Sequence, residues 1–256
     1  MDIFPIKLAL SFLVGGAFIA FTIWLSEKYG SKLGGVIIGL PSTSLMGLLF
    51  IALSSGDAIA VAAVPIMPAV AGVNSVFVAL FILLYRHGWQ KALAASFLFW
   101  LLAICLLLSL HLDNLALSIA IAAILYAISA GYLRHFPHRK VDVHNSSAKE
   151  FLARSAFAGS MVAAAVLLAK INGPLWGGVF STFPAAFLST LLLVSGKHGA
   201  AFMASIGRTM AFASIAAVCF SIAFYFSVIP LGLVPGVALS VFVSMLAGIA
   251  IYKLAL

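Results

Sequence analysis

The chain has 256 residues, 64% of them hydrophobic and 8% charged, with a formal net charge of +8 and a mean hydropathy of +1.24. No water-soluble domain needs that much apolar surface, so its solvent is lipid and a soluble enzyme is excluded. The positive charge calls for no nucleic-acid partner, because the cytoplasmic loops of a multi-pass protein collect Lys and Arg in any case.

A helix needs about 20 apolar residues to cross a bilayer. The first run, 6–26, follows Asp2 and leads into Glu27-Lys28-Tyr29-Gly30 without a small-x-small cleavage site, so it reads as a retained helix. Runs at 32–54, 58–85, 91–110, 114–133, 151–170, 174–195, 199–226 and 229–253 bring the predicted spans to nine. Breakers part them: Tyr29-Gly30-Ser31, Ser55-Gly56-Asp57, Arg86-His87-Gly88, Asp113-Asn114, Asn172-Gly173-Pro174 and Ser195-Gly196-Lys197. Little more than 111–114 separates the fourth span from the fifth, and only 134–149 forms a polar loop of any length.

Charge then orients the chain. Lys28, Lys32, Arg86, Lys91, Arg134, Arg139, Lys140, Lys149, Arg154, Lys197 and Lys253 fall on one side of a nine-span topology, and only Lys7 and Lys170 on the other. By the positive-inside rule the N-terminus is outside and the C-terminus cytoplasmic. Arg208 is the one basic residue left within a span.

The second and seventh predicted spans share a phrase, GGVIIGLPSTS at 34–44 and GGVFSTFPAAF at 177–187. Gly34-Gly35 precedes Gly177-Gly178 by 143 residues, Pro41 precedes Pro184 by 143, and Gly56 precedes Gly199 by 143. Three features at one offset predict an internal duplication. Because the two spans run in opposite directions, the repeat is inverted, an architecture common among secondary transporters with broken helices. The organisation expected is 1–133 as first repeat plus a linker span, 134–149 as a cytoplasmic loop, and 150–256 as second repeat.

A proline within a span removes an N–H and frees carbonyls where no water can satisfy them. Pro41 is followed by Ser42, Thr43 and Ser44, and Pro184 is preceded by Ser181 and Thr182. Hydroxyls at both breaks are the residue type that could bind a solute, although Ser and Thr also satisfy their own helices. Arg208 stands about 15 Å into the eighth span at 1.5 Å per residue, opposite Pro65 under the same offset. All six acids (Asp2, Glu27, Asp57, Asp113, Asp142 and Glu150) lie in loops or at span ends, so an intramembrane carboxylate cannot pair with it. A guanidinium beside two helix N-termini suits an anionic group, and the expectation is that it points toward 181–184 or 42–44.

Other residues carry less. His135, His138, His144 and Asp142 in the long loop match no tight metal-ligand spacing, so no metal site is assigned. Cys105 and Cys219 lie in apolar runs and read as small fillers rather than a disulfide. Trp24, Trp89, Trp100 and Trp176 mostly fall near span ends, as an aromatic belt would. No zinc-protease, nucleophile-elbow or phosphate-loop motif is present, so the chain is not read as an enzyme and no cofactor is expected.

The stretch GGVFSTFPAAFLSTLLLVSGKHGAAFMASIGRTMAFA at 177–213, echoed at 34–72, resembles the small GlpM-like inner-membrane proteins of bacteria. The likeness lies in a G-x-x-x-x-F-P stretch, a small-residue helix, a Gly turn and a basic residue in the next span. It implies a bacterial inner membrane and a fused pair of units that dimerise elsewhere in opposite orientations. The first copy lacks both the Phe before its proline and the Arg.

The resulting expectation is an all-α, nine-span inverted-repeat membrane protein with helices two and seven broken. Its expected function is secondary transport of a small anionic or amphiphilic solute, bound by Pro41, Ser42, Thr43, Ser44, Ser181, Thr182, Pro184 and Arg208. The alternative is a non-transporting scaffold or accessory subunit, and a metal-ion exporter stands third. Apart from the solute and the bilayer, a second copy of the chain is an open partner.

Overall fold

The computed structural model describes residues 3–38, 41–136, 147–194 and 200–255, and these residues are helical with no strand among them. In order the helices are α1 (Phe4–Ile38), α2 (Ser42–Ser55), α3 (Asp57–Ala62), α4 (Met67–Leu84), α5 (Trp89–Ser109) and α6 (Leu115–Leu133). The second half contains α7 (Ala148–Ile171), α8 (Pro174–Ser181), α9 (Ala185–Val194), α10 (Ala200–Leu231) and α11 (Leu233–Ala255). Among the described residues 7 segments are long and apolar enough to cross a membrane, which makes this a multi-pass membrane protein. They correspond to seven of the predicted spans. The two left over, 32–54 and 174–195, are the ones that carry Pro41 and Pro184; the first falls on the end of α1 and on α2, the second on the short helices α8 and α9.

Local signals explain most boundaries. Asn114 caps α6 by accepting from the Leu117 N–H at 3.0 Å, so spans four and five are separate helices. Ser147 and Glu150 form a reciprocal capping box at the start of α7. Gly88 and Gly232, with φ of 102° and 85°, turn α4 into α5 and α10 into α11 through backbone that a Cβ would strain.

Three boundaries differ from expectation. Helix α1 runs through Tyr29-Gly30-Ser31, because Gly costs only about 1 kcal/mol in a helix and the next proline is Pro41. Nonetheless it is not straight. Lys7 Nζ donates to the Leu53 carbonyl at 2.7 Å, so the end of α2 returns to the start of α1. A straight helix of 35 residues would span about 52 Å and the 14 residues of α2 only about 21 Å, too little to retrace it. The chain must bend, and Gly30-Ser31 is the kind of pair at which long helices kink. The third predicted span also breaks, between Ala62 and Met67, where Pro65 cannot supply a helical N–H. The last two spans part at Gly232 rather than near 227, since Pro230 lies in the final turn of α10 and does not end it.

Helix α4 is the core. Phe77, Phe81, Val70 and Val78 are fully buried on it, and it packs against α5, α6 and α10. Facing outward, Leu117, Ile124 and Ile128 of α6 and Val234, Phe242 and Leu246 of α11 present the apolar surface that lipid covers. Helix α1 packs on α7 through glycine. A Cβ on Gly16 would come within 3.0 Å of the Ser155 carbonyl, and one on Gly159 within 2.5 Å of the Phe12 carbonyl. Lys170, near the end of α7, stands 3.7 Å over the ring of Phe4 at the start of α1, so the two helices run antiparallel. With α1 on α7 and α4 on α10, the two halves of the chain interlock.

Candidate functional site

The break between α8 and α9 can be followed carbonyl by carbonyl. Gly178 O accepts both the N–H of Thr182 at 3.1 Å and its hydroxyl at 2.9 Å. The Ser181 carbonyl receives the Ser44 hydroxyl from α2 at 3.1 Å. The Thr182 carbonyl receives Nδ2 of Asn74 from α4 at 2.8 Å. Phe183 and Pro184 close the turn through bonds of 2.8 Å from the N–H groups of Ala185 and Leu188. Groups that would each cost several kcal/mol if left bare in a water-free interior therefore find partners within the break and from two other helices, α2 and α4.

Asn74 is itself held. Its Oδ1 accepts the Trp100 indole N–H from α5 at 2.8 Å, and Trp100 meets Phe183 edge-on with ring centroids 5.1 Å apart. Helix α8 can approach this closely because Gly178 has no side chain: a Cβ there would collide with the Ala63 carbonyl in the α3–α4 break. The buried start of α4 is capped from α6, whose Ser118 hydroxyl accepts the Ala69 N–H at 2.9 Å.

On the other side, Pro41 opens α2, and no side chain caps that helix start. Gly39 and Leu40 lie outside the described residues. The two prolines meet at one cavity of about 80 Å³. Pro41, Ser42, Thr43 and Ser44 line it from α2, Ala71 and Asn74 from α4, and Ser181, Thr182, Phe183, Pro184, Ala185 and Phe187 from the α8–α9 break. Ala213, Ser214 and Ala217 complete it from α10. Five pairs in this lining are 143 residues apart: Pro41 with Pro184, Ser42 with Ala185, Ser44 with Phe187, Ala71 with Ser214, and Asn74 with Ala217. Gly16 and Gly159, in contact where α1 crosses α7, are 143 apart as well.

Of the residues the sequence singled out, the structure gathers Pro41, Ser42, Thr43, Ser44, Ser181, Thr182 and Pro184 around this cavity. Arg208 is not among its lining residues. Its Nη1 donates to the Phe136 carbonyl at 2.8 Å, just past the end of α6, and its guanidinium carbon is 6.0 Å over the Phe212 ring. The expected orientation toward 181–184 or 42–44 is therefore not the one found. The turn that follows α6 offers carbonyls that a long cationic side chain can reach, and Arg208 Nη1 takes that of Phe136. His138, His144 and Asp142 lie outside the described residues, and no group of three potential metal ligands occurs among the described ones.

Sequence reading missed Asn74, Trp100 and Tyr126. Asn74 did carry a signal, as an asparagine interrupting the apolar run 58–85. Trp100, expected in an interfacial belt, is buried at 3% exposure. Tyr126 of α6 joins the site through a bond of 2.6 Å between its hydroxyl and that of Ser214, a contact no local spacing encodes.

A family model described as a protein of unknown function, DUF3147, matches residues 8–113, a stretch that runs from α1 through α5 and stops just before α6. No curated protein and no solved structure matches the chain.

Proposed function

We propose that the chain is a secondary transporter of a small solute, built as nine spans in an inverted repeat, with its binding site where the two broken helices meet. The observation that carries this reading is the cavity lining, where five pairs of residues share the offset first read from the Gly-Gly and Pro positions. A site on the axis between two related halves must be lined by related residues from both. The reciprocal Gly16–Gly159 crossing supports the same axis, because two-fold contacts repeat themselves with the partners exchanged. Antiparallel packing of α1 on α7 supports opposite orientation of the halves. The DUF3147 match ends where the first repeat would end, with α6 as the helix that reverses the chain. The proposed location is a bacterial inner membrane, in keeping with the GlpM likeness, with the N-terminus outside.

A transporter must expose its site to each side in turn. Thr43→Cys, in a background with Cys105 and Cys219 replaced by Ala, should react with a membrane-impermeant thiol reagent both in intact cells and in inverted vesicles. Labelling from one face only would favour the scaffold reading.

A further inference from the structure

The hydrogen-bonding state of the cavity wall names the kind of solute it fits. Ser44, Thr182 and Ser214 donate their hydroxyl protons to the carbonyls of Ser181, Gly178 and Ala211, the last at 2.7 Å. With the Ser214 proton committed, the Tyr126 hydroxyl at 2.6 Å is the donor in their contact. These three side chains therefore offer the cavity oxygen lone pairs. Donors stand beside them: the Ser42 and Thr43 hydroxyls and the second Nδ2 hydrogen of Asn74 bond to nothing else among the described residues. Phe183 and Phe187 supply apolar wall.

Charge is missing from this inventory. No Asp, Glu, Lys, Arg or His lines the cavity among the described residues. The carbonyl end of α8 and the N–H end of α9 offset each other at one break, and the uncapped start of α2 adds a partial positive charge but no full counter-charge. An ion here would lose its hydration against no counter-charge. We infer that the site takes a small uncharged solute carrying both a donor and an acceptor, such as a short amide or alcohol with an apolar end. The cavity's volume of about 80 Å³ exceeds the roughly 10–15 Å³ that one water needs on the same measure, so a small solute has room in it. This inference rests on the transporter reading and replaces its anionic option.

The test is counterflow exchange in proteoliposomes of the full chain, with three radiolabelled probes of similar size: acetamide, methanesulfonate as a permanent anion and tetramethylammonium as a permanent cation. Acetamide should exchange about tenfold or more above protein-free vesicles, and both ions should stay at background. The Ser42→Ala/Thr43→Val double variant, which touches no hydrogen bond of the fold, should weaken half-saturation by about tenfold through the loss of two neutral hydrogen bonds. Exchange of either ion without acetamide overturns the uncharged-solute assignment and leaves the transporter standing. Exchange of none of the three overturns both. Acetamide exchange unaltered in the double variant would remove the solute from this cavity.

Discussion

Asn74 joins three parts of the chain that are distant in sequence. Its amide nitrogen holds the Thr182 carbonyl at the α8–α9 break, and its oxygen holds the Trp100 indole from α5. Truncation leaves two buried polar groups bare, each worth about 1–3 kcal/mol. Asn74→Leu is therefore expected to lower stability by about 2–4 kcal/mol, read as thermal unfolding of the purified protein in detergent. Trp100→Phe should cost less, since only the Asn74 oxygen loses its donor. Because the two residues share one bond, the double variant should cost less than the sum of the singles. Strict additivity would show that the Asn74–Trp100 bond carries no weight. Either variant should also loosen Phe183, which Trp100, Phe157 and Phe180 surround at centroid distances of 5.1, 5.9 and 6.4 Å.

Among the elements, the tightest test lies where α1 crosses α7. Both Gly16 and Gly159 permit backbone contact, but not equally: an added Cβ would stand 3.0 Å from a carbonyl at Gly16 and 2.5 Å at Gly159. Gly159→Ala should therefore destabilise by about 1–3 kcal/mol through overpacking, and Gly16→Ala by less. Thermal unfolding that ranks them the other way would contradict this geometry. The crossing also marks what a sequence can and cannot disclose. Breakers at Asn114 and Gly173 are chemically local, so their helix ends were legible, whereas the equally local Ser147 cap went unread and α7 starts at Ala148 rather than 151. The paired prolines were legible too, because a helix breaker in an apolar run stands out. Arg208 stood out as a charge within a span, but it is half-buried and its Nη1 donates to the backbone carbonyl of Phe136, and no residue type announces a carbonyl. Tyr126 reaches Ser214 across 88 positions of sequence, which only the packing of α6 on α4 and α10 decides.

At the scale of the whole molecule, the two halves share one core rather than sitting side by side. Helix α1 lies on α7, α2 on α8, and α4 on α10, so neither half buries its own helices alone. On the proposed inverted topology this interlocking has an orientation, and charge sets it. The eleven basic residues on one face against Lys7 and Lys170 on the other bias that face toward the cytoplasm. Lys7 and Lys170 are consistent with a shared side, because Lys7 meets the end of α2 at Leu53 and Lys170 meets Phe4, one turn of α1 away. The opposite face then carries the 134–149 segment. Ser146→Cys, in a background lacking Cys105 and Cys219, should resist an impermeant thiol reagent in intact cells and react after lysis. Labelling in intact cells would place that segment outside. It would reverse the assigned orientation of every span, and with it the rule by which the basic residues were sorted.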